Sequence, residues 1–317
     1  MHIFPVKQSF CLEVWGTDYD KIKETCILAE KLGYYGFYYG ESLADIDLDC
    51  WTILSSLSSI TNKIKLGPVI TYLFPQYRSI SLLAKQAVTL QDVSNGRLEL
   101  RTGAGATLQY ARQWWYPYGI DYPKEDERVS IFEEGIQILQ RLLGSNKSTT
   151  TTTSSYFDGK YFKINGAILK RPTKIIPITI AAKRKRMVQI AAKYADIWES
   201  SYITPEEFSS LNAKFENVLI GLDRDDKEKN KIIKSIELDV MIAESDSDLE
   251  YKKKIFAMER GPGVYSQILK HGLVGKLDAI AKRVKEYKDA GVDQFFLAFH
   301  DPFDLKALEL FMNAVKQ

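Results

Sequence analysis

The chain has 317 residues, 45% of them hydrophobic, enough to bury a large core and the usual length of one closed α/β barrel. Its 43 basic and 41 acidic residues nearly cancel, and a net charge of +2 argues against a nucleic-acid partner. Three cysteines, Cys11, Cys26 and Cys50, show no CxxC spacing, which argues against a zinc site or a disulfide framework and for a reducing cytoplasm.

The first residues lack a basic segment followed by an apolar one, so no signal peptide is expected. No apolar run reaches the about 18 residues that a membrane helix needs, and a soluble, cytoplasmic protein is expected.

In chain order, Phe10 to Trp15 reads as a strand. Thr17 or Asp18 caps the next helix, which carries Ile22, Cys26, Ala29 and Leu32 on one face and ends at Gly33. Gly36 to Gly40 is the second strand, followed by a helix over about Asp49 to Thr61. Ile64 to Ile70 is the third, followed by a helix from about Ser79 to Val93. Asn95-Gly96 then turns the chain into a fourth strand, Leu98 to Thr102.

A Gly-rich aromatic loop and a helix with Val129, Phe132, Ile136, Leu139 and Leu143 come next. The Ser/Thr run Ser148 to Ser155 cannot build a core and reads as an exposed loop. Tyr156 to Leu169 reads as a small hairpin, so an insertion is expected at about 147–170 of a single domain.

The alternation resumes with strand Ile176 to Ala182 and a helix through Met187, Ile190, Ala191 and Tyr194. Strand Asp196 to Ser200, a helix over Pro205 to Leu219 and a solvated charged stretch, Asp223 to Lys231, follow. Ile236 to Ala243 is the seventh strand, with two or three helices after it; Gln294 to Phe299 is the eighth, closed by a helix with Leu305, Leu308, Phe311 and Val315. Eight alternating βα units predict an α/β fold with a parallel sheet, a (β/α)8 TIM barrel; an open doubly wound sheet is the competing topology.

Barrel chemistry sits where strands end. Those positions hold Glu13; Glu41 and Ser42; Val69, Ile70 and Thr71; Gly103, Ala104, Gly105 and Ala106; Ala181, Ala182, Lys183 and Arg184; and His300. Trp114, Trp115, Tyr116, Tyr118, Trp198 and Tyr202 could wall a pocket for a ring, or pack the core. Gly103-Ala104-Gly105 lacks the spacing of a dinucleotide fingerprint and suits close approach of a planar ring instead. Lys183 to Arg186 open a helix, where an anion such as a phosphate could bind, or form a solvated turn. Glu13 and His300 are candidates for proton transfer; the alternative is a paired structural carboxylate for Glu13 and a structural hydrogen-bonded histidine for His300.

Several segments resemble the bacterial luciferase-like family of flavin- and coenzyme F420-dependent oxidoreductases. They are Ala29 to Tyr34, Ile64 to Gly67, Leu90 to Arg97 (LQDVSNGR), Gly103-Ala104-Gly105, Glu127-Arg128 with Glu133 or Glu134, Ile176 to Ala182, Ala195 to Trp198, and Gly275 to Gly291. The match runs nearly end to end, and the paired alanines after the fifth strand are most similar to the deazaflavin branch. That likeness implies a non-prolyl cis peptide at Val69–Ile70 and a cofactor held by Glu41, Val69, Ile70, Thr71, Gly103, Ala104, Gly105, Ala106, Gln109, Ala181, Ala182, Lys183 and Arg184.

The chain departs from the family where Glu41-Ser42 replaces a frequent Asp-His, where Ala106 to Gln109 offers no glutamate, and where Lys183-Arg184 replaces Gly-Pro. The proton-transfer pair of the sugar-phosphate dehydrogenases is therefore absent. What the resemblance implies is coenzyme F420-dependent hydride transfer to or from a small molecule, an alcohol/ketone pair or a pterin-like imine, with Ser42, Glu13 and His300 as candidates for the proton step. An FMN-dependent monooxygenase is the alternative, and a non-catalytic flavin-binding protein a third reading. A homodimer is also implied, with no metal and no membrane partner.

Overall fold

The computed structural model describes residues 9–144, 154–222 and 232–316. Most of the Ser148 to Ser155 run, the Asp223 to Lys231 stretch and His2 lie outside the described residues. The chain divides into two compact units, one formed by Tyr39–Asp196 and the other by Met1–Tyr38 with Ile197–Gln317.

The elements in order are β1 (Ser9–Val14), α1 (Tyr19–Leu32), β2 (Gly36–Gly40), α2 (Cys50–Ile60), β3 (Lys65–Val69), α3 (Ile80–Val93), β4 (Leu100–Thr102), α4 (Leu108–Trp115) and α5 (Glu125–Leu143). There follow β5 (Ser155–Asp158), β6 (Lys163–Ala167), β7 (Ile178–Ala181), α6 (Lys185–Tyr194), β8 (Ile197–Ser201), α7 (Pro205–Ile220) and β9 (Ile233–Ile242). The last are α8 (Asp246–His271), β10 (Leu273–Gly275), α9 (Leu277–Asp289), β11 (Gln294–Phe299) and α10 (Leu305–Val315).

The main sheet runs β3-β2-β1-β11-β9-β8-β7-β4. Parallel bridges Leu66↔Leu98 and Thr71↔Thr102 join its two ends, so each of these strands has two neighbours, the strand order of the expected (β/α)8 barrel.

Local chemistry explains the element ends. The side chains of Asp18, Asp49 and Ser79 accept from the amides of Lys21, Thr52 and Leu82, capping α1, α2 and α3. Asn95 and Gly96 take positive φ, 58° and 85°, in the turn before β4. Pro262 follows the one non-helical residue, Gly261, inside α8.

Two elements escape the sequence reading. The residues of α4 stand where a loop is expected, because the apolar spacing Leu108, Ala111, Trp115 starts inside a glycine-rich segment. β10 has three residues and, among the described residues, pairs with β9 off the main strand path. The expected hairpin is present, with β5 and β6 antiparallel, and the Glu134 carboxylate of α5 accepts the amides of Lys160, Tyr161 and Phe162 at its turn.

In the 39–196 unit, buried Arg97 joins the turn before β4 to the C-terminal end of α2. Its guanidinium donates to the carbonyls of Ser58 (2.6 Å), Thr61 (3.1 Å), Ile64 (3.1 Å) and Ser94 (2.8 Å) and to Thr61 Oγ1 (2.8 Å). A cation at a helix C-terminus opposes the helix dipole and satisfies carbonyls that the helix leaves unpaired. Arg97→Ala strands these acceptors and is expected to cost about 3 kcal/mol, lowering the thermal midpoint by roughly 5–10 °C. Calorimetry of the variant checks this; a shift under about 2 °C contradicts it.

Candidate functional site

In the 39–196 unit, the ends of β2 and β3 meet around one carboxylate. Glu41 is 4% exposed. Arg78 Nη2 lies 2.5 Å from its Oε1, the Tyr77 hydroxyl donates to the same oxygen at 3.1 Å, and the Thr71 hydroxyl donates to Oε2. Burial pushes this carboxyl up from its ordinary range, and Arg78, Thr71 and Tyr77 pull it back. The backbone amide of Glu41 donates to the carbonyl of Val69.

The Val69–Ile70 peptide is cis, as the resemblance implies, and both residues are half-buried. Thr71 is fully buried and its amide donates to the carbonyl of Arg101. The side chains of Glu41 and Thr71 are thus engaged with protein partners and support the strand ends.

Beside them lies the loop after β4. A Cβ on Gly103 would stand 2.6 Å from Ile70 Cδ1 and 3.5 Å from the Ala181 methyl, so a glycine here seats Ile70 against the strand end. Gly105 has φ +85°, and a Cβ there would meet the Tyr122 hydroxyl. The loop carbonyls are fixed from α5 and the segment before it: Arg128 Nε donates to Ala104 O (3.0 Å) and Nη2 to Ala106 O (2.9 Å), and Tyr122 Oη donates to Ala106 O (2.8 Å). In a trans peptide the C=O and the following N–H point opposite ways. Arg128 therefore turns the amides of Gly105 and Thr107 away from itself. Residues 104–106 are half-buried, and none has a side chain beyond Cβ.

Below this loop, Tyr72, Phe74, Tyr77, Trp115 and Tyr122 form an aromatic cluster with Trp115 at its centre, fully buried. Trp115 is therefore core. Trp114 pairs with Tyr110, while Tyr116 and Tyr118 are exposed.

The basic run Lys183 to Arg186 is exposed, but two of its cations are engaged. Arg184 pairs with Glu125, and Arg186 with Glu133 at 3.2 Å, both acids on α5. Ala181 is half-buried, Ala182 is buried, and Gln109 is exposed in the first turn of α4.

At the end of β2, the half-buried Ser42 donates to Asp47 Oδ1 at 3.0 Å, and its oxygen accepts from the Ala44 amide at 3.1 Å.

In the other unit, Glu13 is 1% exposed on β1, in register with Ala298, which is itself in register with Asp239 on β9. Two residues before Asp239, on the same face, Glu237 accepts the Tyr202 hydroxyl at 2.5 Å. Burial, and then Glu237, push the Asp239 carboxyl up to about 7, against the pull of Arg260. His300 lies against Phe256 (ring centroids 5.0 Å apart), its Nε2 3.3 Å from Glu259, and burial lowers its pKa. Trp198 is fully buried and stacked on Phe215 and Phe208 of α7, as a core residue.

The sequence reading passes over Asp47, Arg78 and Asp239, names Tyr202 only as a possible pocket wall, and names Arg128 only within a motif. One signal was present: Glu237 and Asp239 alternate on a strand that is otherwise largely aliphatic.

A family model described as luciferase-like monooxygenase matches residues 2–252. The chain belongs to the luciferase-like family. Over 180 residues this luciferase-like chain is 31% identical to a 5,10-methylenetetrahydromethanopterin reductase of Archaeoglobus fulgidus, covering 57% of this chain and 48% of that protein. Over 250 residues it is 25% identical to the pyrimidine monooxygenase RutA of Agrobacterium fabrum, covering 74% of this chain and 63% of that one. The chain thus spans about half the length of the first relative and under two thirds of the second.

Among solved structures, an F420-dependent secondary alcohol dehydrogenase in complex with an F420-acetone adduct superposes with TM-score 0.83 at 17% identity. The superposition covers 98% of this chain and 100% of that one. At this identity the likeness carries the fold alone, the luciferase-like (β/α)8 barrel. Among the described residues no helix is long and apolar enough to cross a membrane.

The raised Asp239 carboxyl makes a pH prediction. Its folded pKa of about 7 lies above its unfolded value. Its contribution is therefore fully present below about pH 4 and is lost as pH rises through about 7. Asp239→Asn keeps the neutral form, so the variant should gain thermal stability relative to the parent between pH 5 and pH 8. Parallel melting curves across that range that never diverge contradict the assignment.

Proposed function

We propose that this protein is an oxidoreductase that moves a hydride between the deazaflavin coenzyme F420 and a small organic molecule, an alcohol/ketone pair or a pterin-like imine. The carrying observation is the Gly103–Ala106 loop. Its carbonyls are held by Arg128, its amides at Gly105 and Thr107 are turned the other way, and its residues 104–106 are half-buried and carry no side chain of their own beyond a methyl. Such a surface fits the flat face and polar edge of a tricyclic ring, as backbone donors and small residues do in other cofactor sites. A bound deazaflavin supplies the two-electron acceptor or donor.

The chain's own residues do the rest. Ile70, seated by Gly103, and Ala181 border the loop, and Gly105 and Thr107 offer hydrogen bonds to ring acceptors. Lys183 and Arg184 lie where an anionic tail could be neutralised, Arg184 exchanging or sharing Glu125. Val69 and the backbone of Thr71 complete the cofactor side, with Gln109 at its rim. Ser42 is the proton-handling residue of this unit, and Glu13 and His300 are the candidates in the other. The A. fulgidus reductase, whose name gives a pterin substrate, and the dehydrogenase structure with its F420-acetone adduct support this choice.

The second reading, an FMN-dependent monooxygenase, is favoured by the likeness to RutA. Three buried cysteines suit a reducing cytoplasm, and a homodimer follows the family.

Fluorescence-quench titration with coenzyme F420 and with FMN separates the readings. Saturable binding of coenzyme F420, at least tenfold tighter than FMN, is expected. Arg128→Ala should weaken it about tenfold, the scale of one lost positioning interaction, with the fold retained by circular dichroism. FMN-selective binding with oxygen uptake supports the second reading, and binding of neither overturns both.

A further inference from the structure

We propose that Asp47, acting through the Ser42 hydroxyl, takes up and returns the proton that accompanies hydride transfer at the end of β2; this rests on the oxidoreductase reading above. A serine hydroxyl ionises far above neutrality, so alone it cannot hold a proton from one half-reaction to the next; it needs a base behind it. The fold supplies one five residues further on.

Ser42 Oγ donates to Asp47 Oδ1 at 3.0 Å. It accepts from the Ala44 amide at 3.1 Å, which fixes the hydroxyl's direction. One lone pair of Ser42 Oγ is left to accept from a substrate hydroxyl. Ser42 is half-buried and reachable, whereas Asp47 is 8% exposed behind it. Asp47 Oδ2 is buried and has no hydrogen-bond partner among the described residues. An ionised carboxylate with an oxygen left in that state is disfavoured, so Asp47 is poised between its two forms.

The groups facing Asp47 agree. Burial and the charge of Glu41 push its carboxyl up to about 6, and the Ser42 hydrogen bond pulls it down. Glu41 is itself held by Arg78. Tyr39 accepts the Leu48 amide at 2.7 Å, and Cys50 donates to the Tyr39 carbonyl. Burial raises both the Tyr39 phenol and the Cys50 thiol, so both stay neutral at pH 7.

In the oxidation direction, the carbinol C–H bond breaks and its electron pair leaves with the hydrogen for the deazaflavin. The C=O bond forms as the O–H proton passes to Ser42 Oγ and the serine proton passes to Asp47. In the reduction direction, protonated Asp47 returns a proton through Ser42 to the carbonyl oxygen or imine nitrogen whose carbon has accepted the hydride.

The test has two arms. In the first, infrared difference spectroscopy of the cofactor-free protein follows the protonated-carboxyl C=O band. A band titrating with a midpoint of about 6 is expected, absent in Asp47→Asn and moved to higher pH in Ser42→Ala. In the second, the protein loaded with coenzyme F420 is assayed with 2-propanol and acetone and with a panel of further alcohols and ketones. Asp47→Asn should lower kcat about 100-fold, the scale of a lost general acid–base, with coenzyme F420 binding unchanged within twofold. Alcohol oxidation should fall below about pH 6 and ketone reduction above it, and Asp47→Asn should remove that dependence.

An Asp47 carboxyl titrating near pH 4 like an ordinary carboxylate, unmoved by Ser42→Ala, overturns the proposal. So does kcat within threefold of the parent in Asp47→Asn with cofactor bound. If coenzyme F420 does not bind the parent protein, the deazaflavin reading falls instead, and the infrared midpoint still decides the Ser42–Asp47 pair.

Discussion

A carboxylate that is 4% exposed must be charged and fully matched, or protonated, and the Glu41 site satisfies it with three donors. That requirement organises this end of the 39–196 unit. It brings Thr71 of the segment after β3, and Tyr77 and Arg78 of the segment before α3, onto the end of β2. Arg78 also lies over the rings of Trp51 and Tyr77, centroids 5.6 Å and 5.1 Å away, so α2 packs against the same guanidinium. Removing one partner would leave a buried charge uncompensated, a far larger penalty than the loss of a surface ion pair. The charge of Glu41 also adds to the burial that raises the Asp47 carboxyl.

The loop after β4 shows the same logic with backbone groups. Arg128, 3% exposed, binds two loop carbonyls and the carbonyl of Pro123, and its guanidinium lies 4.4 Å from the Tyr122 ring centroid. A guanidinium presents a rigid fork of donors, so it fixes the direction of two peptide planes at once, which a lysine could not do. Side chains are then dispensable on the loop itself, and glycine and alanine keep its outer surface flat. A proton step served by Ser42 and Asp47 would sit on the same unit as that surface. In this family the chain would thereby replace an imidazole with a hydroxyl–carboxylate pair at the end of β2.

The fold was legible because its signals are local. Alternating strand and helix periods, with caps at Asp18, Asp49 and Ser79, reproduce the observed elements to within two or three residues at most ends. α4 was hidden because its apolar spacing begins inside a glycine-rich stretch, and β10 because three residues carry no period. The site was only partly legible. Ser42 stood out as a strand-end residue, but Asp47 lies in a polar segment, SLADID, that reads as solvated loop. Only the tertiary fold buries it. Lys183 to Arg186 looked like an anion site, but Glu125 and Glu133, some 50–60 residues earlier in the chain, pair with two of its cations. Trp198 could have been pocket wall or core; the rings of Phe208 and Phe215 decide for core. Long-range pairing of this kind leaves no pattern in a single sequence.

A crystal structure of the protein with coenzyme F420 bound tests the central claim most directly. The account predicts the deazaflavin ring within about 4 Å, ordinary contact distance, of Ile70 and the Ala104–Gly105 backbone, with the Gly105 or Thr107 amide donating to it and Arg128 still on both loop carbonyls. A ring seated away from this loop, or a loop whose carbonyls have left Arg128 to face the ring, would contradict it.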